Sequence, residues 1–295
     1  MASLKETKGR IASVKSTLKI TSAMKMVASA KLHKAQNAIG SMLPYERKLR
    51  EMLQLLLSSV ASQNVPSEQN ASRDDVPAGK AKRVAIVAIA SNSSLCGGFN
   101  GNVLREVKSR VHSLEVDGCE VEVISVGKKV ADPLRKAGYP SPDDWNELVG
   151  HPSYATADAL AKKLQKGFSE GKYDRVELIY NHFVSTGTQK ITCDTYLPMA
   201  PLSVEGVSRE WPEDLIIEPS AEEMLADLLP RVRSLRIYTV ILDSVAAEHA
   251  ARTIAMQTAT DNGENILQEL TLEYNKGRQQ KITSEILDIV GGSMQ

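Results

Sequence analysis

The chain opens and closes with apolar seams that are each too long for a globular helix. From Ile11 the residues Val14, Leu18, Thr21, Met24, Ala28, Leu32, Ala35, Ile39, Met42, Leu49, Leu53, Leu56 and Val60 follow at steps of three or four, with Glu46 filling the one gap. A second seam starts near Ser220 and runs through Leu225, Leu228, Val232, Leu235, Thr239, Leu242, Ala246, Met256, Leu267, Leu270, Tyr274, Ile282 and Ile289. Such steps put side chains on one face of a helix, and sustained over many turns they make a heptad-like pattern. A long helix with a bare apolar face needs a cover, and two at opposite ends of a chain can cover each other. The expected object is a rod of paired helices with a globular middle.

Charge and composition fit that expectation. Aromatic residues are only 4% of the chain, thin for one compact core but enough for seams of Ala, Leu, Met and Val. The net charge is zero, yet residues 1–50 carry eleven Lys and Arg against only Glu6 and Glu46, a local excess of +9. Residues 51–219 and 220–295 balance it with −5 and −4, so the first helix is the basic one. The three cysteines, Cys96, Cys119 and Cys193, have no metal-ligand or redox spacing and suggest buried thiols in a reducing compartment. Met1 to Lys5 lack the apolar core of a secretory signal and the Arg/Ser-rich character of a transit peptide, so no targeting peptide is expected. No run of about eighteen apolar residues occurs, so contact with a membrane is expected only through partners.

The first helix is expected from near Lys5 to Ser62, with Pro44 kinking it, because an interior proline removes a hydrogen bond. Its seam spans roughly 75 Å at about 1.5 Å per residue. The second is expected from the capping box Ser220-Ala-Glu-Glu223 to Val290, on the order of 105 Å. Pro230 should kink its first turns, and Gly263 and Gly277 each weaken it by about 1 kcal/mol relative to Ala. Paired antiparallel, the longer helix outruns the shorter by about 30 Å. A projecting end carrying Ile286, Leu287, Ile289 and Val290 is unstable bare in water, which implies a sleeve from outside the chain.

The middle reads as α/β: strands at Arg83–Ala90, Cys119–Val126 and Arg175–Val184 alternate with helices at 102–114, 128–136 and 151–171. Thr186-Gly187-Thr188 turns the chain into Gln189–Leu197, an antiparallel partner strand. The fold class is therefore α/β: a long antiparallel coiled coil from residues 1–62 and 220–295 and a central Rossmann-like domain at 81–200, joined by connectors at 63–80 and 201–219.

Chemical motifs are sparse. Gly97, Gly98 and Asn100 follow the first strand, but without GxGxxG or GxxxxGK[ST] spacing they favour a tight strand-to-helix turn over a phosphate cradle. His33, His112, His151, His182 and His249 are scattered away from carboxylate or cysteine clusters, so no metal site, no catalytic triad and no cofactor is read. The basic first helix lacks interleaved aromatics, and no nucleic-acid partner is expected.

Longer motifs carry a resemblance. Arg10-Ile11, Ser13-Val14 and Lys19-Ile-Thr-Ser-Ala-Met24-Lys25-Met-Val-Ala28 resemble the N-terminal signature of the F-type ATP synthase γ-subunit family. Leu95-Cys-Gly-Gly-Phe-Asn100 is similar to its central glycine-rich motif, although Asn92-Ser93-Ser94 stands where an Asp-Arg-Gly-like run is typical. Ala255-Met256, Ala259-Thr-Asp-Asn262, Tyr274-Asn-Lys276, Arg278-Gln279, Ile282-Thr283, Glu285-Ile286 and Ile289-Val-Gly-Gly292 resemble its C-terminal signature. The resemblance implies a non-catalytic rotor shaft that couples proton flow to ATP synthesis on catalytic β subunits. Its implied partners are the α and β subunits, an ε subunit and a ring of c subunits, and its implied place is the cytoplasmic side of a bacterial inner membrane. Implied contacts with the surrounding α and β subunits fall on Met24, Lys25, Arg252, Arg278, Gln279 and Thr283. On pattern alone, a coiled-coil scaffold or a nucleotide-binding α/β enzyme with helical arms also fits.

Overall fold

The computed structural model describes residues 3–62, 82–199 and 217–292. Most of the two connectors, 63–80 and 201–219, lies outside the described residues. The elements in chain order are α1 (Leu4–Ser62), β1 (Arg83–Ile89), α2 (Phe99–Val116), β2 (Glu120–Val126) and α3 (Lys128–Lys136). They continue with α4 (Glu147–Gly150), α5 (Tyr154–Ser169), β3 (Arg175–Phe183), β4 (Gln189–Leu197) and α6 (Ala221–Gly292). Both terminal helices run through their prolines, Pro44 and Pro230. The N-terminus of α6 shows the serine half of the expected capping box, with the Glu223 N–H donating to Ser220 Oγ at 3.2 Å. The short α4 has no counterpart in the sequence reading, because four residues are too few to show a period.

The chain forms two compact units. The larger, residues 31–251, is built on a four-stranded sheet of order β2-β1-β3-β4. β1 pairs parallel with both β2 and β3, and β4 returns antiparallel along β3. Every residue of β1 after Arg83 is buried, as a central strand covered on both faces requires. Alternation then sorts its side chains. Val84, Ile86 and Ala88 meet Val103, Val107 and Val111 of α2 and Val130 and Leu134 of α3. Ala85, Val87 and Ile89 face the other way, into a cluster with Leu160 and Leu164 of α5, Leu32 and Ala35 of α1, and Ile237, Val240 and Ile241 of α6. Further along the same helices, Leu49, Leu53 and Leu56 of α1 cluster with Leu225, Leu228 and Leu235 of α6.

One charge is set into this sheet. Glu177 on β3 is buried and takes a two-pronged hydrogen bond from Arg110 of α2, at 2.7 and 2.6 Å, while Arg175 Nε lies 2.9 Å away. Burial pushes its carboxyl up, but the Arg110 fork and the Arg175 charge outweigh that and hold it below the ordinary carboxylate range. The same bond raises the Arg110 guanidinium, so both partners stay charged.

The smaller unit consists of residues 1–30 and 252–295, and its described part is the start of α1 lying antiparallel to the end of α6. Thr21 pairs with Thr260, Leu18 with Gly263 and Leu4 with Gly277, so partner numbers add to 281 throughout. That constant sum is the register of the pair.

Candidate functional site

The residues expected to meet partners lie along α1 and α6. In the smaller unit, Met24 and Lys25 are half-buried at the seam, and the Lys25 ammonium donates to Gln257 Oε1 of α6. Gln257 Nε2 in turn donates to Asp261 Oδ1 at 2.6 Å. Lys25 therefore spends part of its charge inside the helix pair. Arg252 is buried on α6, with 8% of its surface outward. Arg278, Gln279 and Thr283 are exposed, and Gln279 and Thr283 share one face because they are four residues apart.

Leu4 sits against Gly277, so the register brings the beginning of α1 level with that glycine. Every residue from Lys281 to Val290 is exposed. Ile282, Ile286, Leu287, Ile289 and Val290 are 47%, 55%, 64%, 72% and 50% exposed. Five large apolar side chains in water on two and a half turns of helix form a surface made to be covered. The structure thus brings Arg278, Gln279 and Thr283 onto the bare end of α6. Met24, Lys25 and Arg252 lie farther down the pair.

The glycine-rich loop occupies the position where open α/β sheets hold ligands, outside the C-terminal ends of β1 and β3 where the strand order reverses. Here apolar side chains fill that position. Cys96, Phe99 and Phe183 pack on Ala247 and Ala251 of α6. Asn100 ties the loop together: its Oδ1 accepts from the Ser91 N–H at 3.0 Å, and its Nδ2 donates to Ser93 O at 3.3 Å and Cys96 Sγ at 3.1 Å. Gly97 takes φ +59° within the turn, and Gly98 precedes the first residue of α2 without a side-chain cap. Asn92 is used internally. It accepts from the Lys128 N–H at 3.0 Å and donates to Asn146 O at 2.7 Å. The loop is a tight turn that seats α6 on the sheet.

A second tie joins sheet and helix nearby. Asp243 of α6 accepts the Phe183 N–H at 3.0 Å through Oδ1, and its Oδ2 lies 2.6 Å from His182 Nδ1. Arg236 of α6 donates to Asp194 of β4 at 2.9 Å, and Tyr196 OH donates to Arg233 O at 3.1 Å. Sequence reading had no access to these pairs, since their partners lie 37 to 61 residues apart without a motif. It also missed the Thr21–Thr260 pair, which the seam spacing would have revealed once the register was known. Among the described residues, no group of three or more His, Cys, Asp or Glu is placed to hold a metal ion. No helix among them is long and apolar enough to cross a membrane.

Comparison with known proteins follows the same lines. The family model described as ATP synthase matches residues 3–294. The ATP synthase gamma chain of Phocaeicola vulgatus is 52% identical over all of this chain and all of its own length. That of Bacteroides fragilis is also 52% identical, again over the full length of both. Among solved structures, a chain of the Euglena gracilis mitochondrial ATP synthase superposes with a TM-score of 0.66 at 19% identity. The match covers 99% of this chain and 93% of that one, and at this identity it speaks to the fold.

Proposed function

Because the chain belongs to the ATP synthase gamma-chain family, we propose that it works as the central rotor shaft of an F-type ATP synthase. Proton flow through the membrane sector turns it, and its turning drives the catalytic β subunits through their binding states. It is a non-catalytic subunit of that complex, with bond formation carried out on β. Its partners are the α and β subunits of the catalytic hexamer, the ε subunit and the ring of c subunits.

The bare end of α6 is the observation that carries this reading. Exposed isoleucines, leucine and valine from Ile282 to Val290 need an apolar sleeve, and a ring of α and β subunits supplies one. An off-centre helix end inside such a ring meets three chemically identical neighbours with different faces. It then favours a different conformation in each, because a part shifts another's equilibrium only through differential contact free energy. Arg278, Gln279 and Thr283 provide polar contacts at this end, and Met24 and Lys25 provide contacts farther down. Arg252 contributes there only through the small part of its surface that faces outward. The exposed lysines Lys15, Lys19, Lys31 and Lys34 suit acidic surfaces on the surrounding subunits without locking them, since solvated ion pairs are weak.

In the same reading, residues 1–62 and 220–295 are the shaft, residues 81–200 the central domain, and 63–80 and 201–219 the connectors. The assembly lies on the cytoplasmic side of a bacterial inner membrane, and this chain is held there peripherally by its partners. The test is purification from cells with a tag on this chain. Copurification of α, β and ε subunits, together with no ATP hydrolysis by the isolated chain, is the expected result. Robust hydrolysis by the isolated chain, or its recovery without those subunits, would overturn the proposal.

A further inference from the structure

Gly263 and Gly277 lie inside a helix that gains nothing from glycine, and the structure shows what they are for. A Cβ built on Gly263 would stand 2.7 Å from Leu18 Cδ2, and one on Gly277 would stand 3.3 Å from Leu4 Cδ2. Each glycine is a socket for a leucine of α1. Beyond the Leu18 socket, on the side away from Leu4, are two polar contacts: the Thr21 and Thr260 hydroxyls at 2.9 Å, and the Lys25–Gln257–Asp261 chain.

An apolar heptad seam does not by itself fix register, because a slip of seven residues again puts apolar on apolar. The special pairs remove that freedom, and each kind excludes a slip the other permits. A seven-residue slip one way sets Thr21 opposite Leu267 and Leu18 opposite Leu270. The opposite slip preserves a threonine pair, Thr21 with Thr253, but sets Leu18 against Met256 where it now has bare glycine. A fourteen-residue slip would again seat both leucines over glycines, Gly277 and Gly291, yet it brings Thr21 against Tyr274. Sockets and hydroxyl pair together leave one register.

We propose that these contacts are a register lock that stops the two helices from sliding past one another under torque. The proposal rests on the rotor reading for its purpose but not for its geometry. Twisting a two-helix coil drives its strands to slide axially, and a one-heptad slip would be about 10 Å. A shaft that yielded so would store work in slippage instead of delivering it.

The test uses cysteine reporters in the assembled complex, with cross-linked peptides identified by mass spectrometry after mild oxidation. Val14→Cys with Leu267→Cys reports the native register, Thr7→Cys with Leu267→Cys the one-heptad slip that pairs Thr21 with Thr253, and Val14→Cys with Lys281→Cys a two-heptad slip. With the lock intact, the native pair should close with at least about tenfold higher yield than either slipped pair. Adding Thr21→Leu and Thr260→Leu should raise the two-heptad yield relative to the native yield about tenfold. Adding Gly263→Leu should instead raise the one-heptad yield, and Gly263→Ala serves as the milder variant should the bulkier one prevent assembly. Native yields unchanged and slipped pairs silent in every variant would overturn the lock and leave the rotor reading standing. Slipped pairs appearing while protons pumped per ATP stay unchanged would support the lock and count against the rotor reading.

Discussion

Asp243 is a small part with a measurable mechanical duty. Its carboxylate binds the last strand residues of β3, through the Phe183 N–H at 3.0 Å and the His182 ring at 2.6 Å, and so fastens the sheet to α6. Replacing it by alanine leaves the half-buried Phe183 N–H without its acceptor, which costs about 1–3 kcal/mol. The histidine contact adds at most about 0.5 kcal/mol, because His182 is half exposed and solvent screens the pair. The sum, about 2 kcal/mol, corresponds to a roughly thirtyfold increase in local opening. Amide hydrogen exchange on the assembled complex reads this directly in the peptide that ends β3. Asp243→Asn keeps an oxygen for Phe183 and should accelerate exchange by less than about fivefold. Exchange within twofold of wild type in Asp243→Ala, or equal acceleration in both variants, would refute the assignment of Asp243 as the tie.

Other consequences follow from the same geometry. Glu177 has a folded-state pKa below its ordinary 4.5, so its contribution to stability is full above pH 4.5 and is lost as pH falls through the lower folded value. Glu177→Gln should cost about 3 kcal/mol in urea unfolding at pH 7, and the difference from wild type should shrink below pH 4.5; a pH-independent difference would contradict this. The Cys193 thiol is pushed up to about 11, from an ordinary 9.0, by burial and by the Glu177 charge. Although its residue is exposed, it should react with iodoacetamide at pH 8 about a hundredfold more slowly than an unperturbed thiol, and fast labelling would count against that environment. Ending the chain after Tyr274 removes the bare end of α6 and should lower proton pumping per ATP in inverted vesicles. Residues 31–251 should remain protease-resistant, and undiminished coupling would argue that the exposed isoleucines do no work.

Periodicity carried most of the fold into view because long-range order here is largely repetition of local order. Every step of three or four along α1 and α6 repeats the same constraint, so the bounds near Lys5, Ser62 and Ser220 came within a residue or two. The strands were legible for a related reason: β1 is buried on both faces and reads as an uninterrupted apolar run. What the sequence hid was pairing. Gly263 and Gly277 looked like weaknesses, and only the register shows them as seats for Leu18 and Leu4. Arg110 with Glu177, and Asp243 with His182, join residues 67 and 61 positions apart with no periodic cue. The bare tip was foreseeable from unequal helix lengths, whereas Arg252, which the resemblance implied as a partner contact, is buried on α6.

The central claim is that this chain turns as a body inside its complex. Val116, 73% exposed at the end of α2, offers a tethering point on the central domain. With Val116→Cys carrying a bead or nanorod and the catalytic hexamer fixed to glass, ATP should drive unidirectional rotation with three main pauses per turn, one for each β subunit. A probe that stays still while the same immobilised complexes hydrolyse ATP would contradict the account.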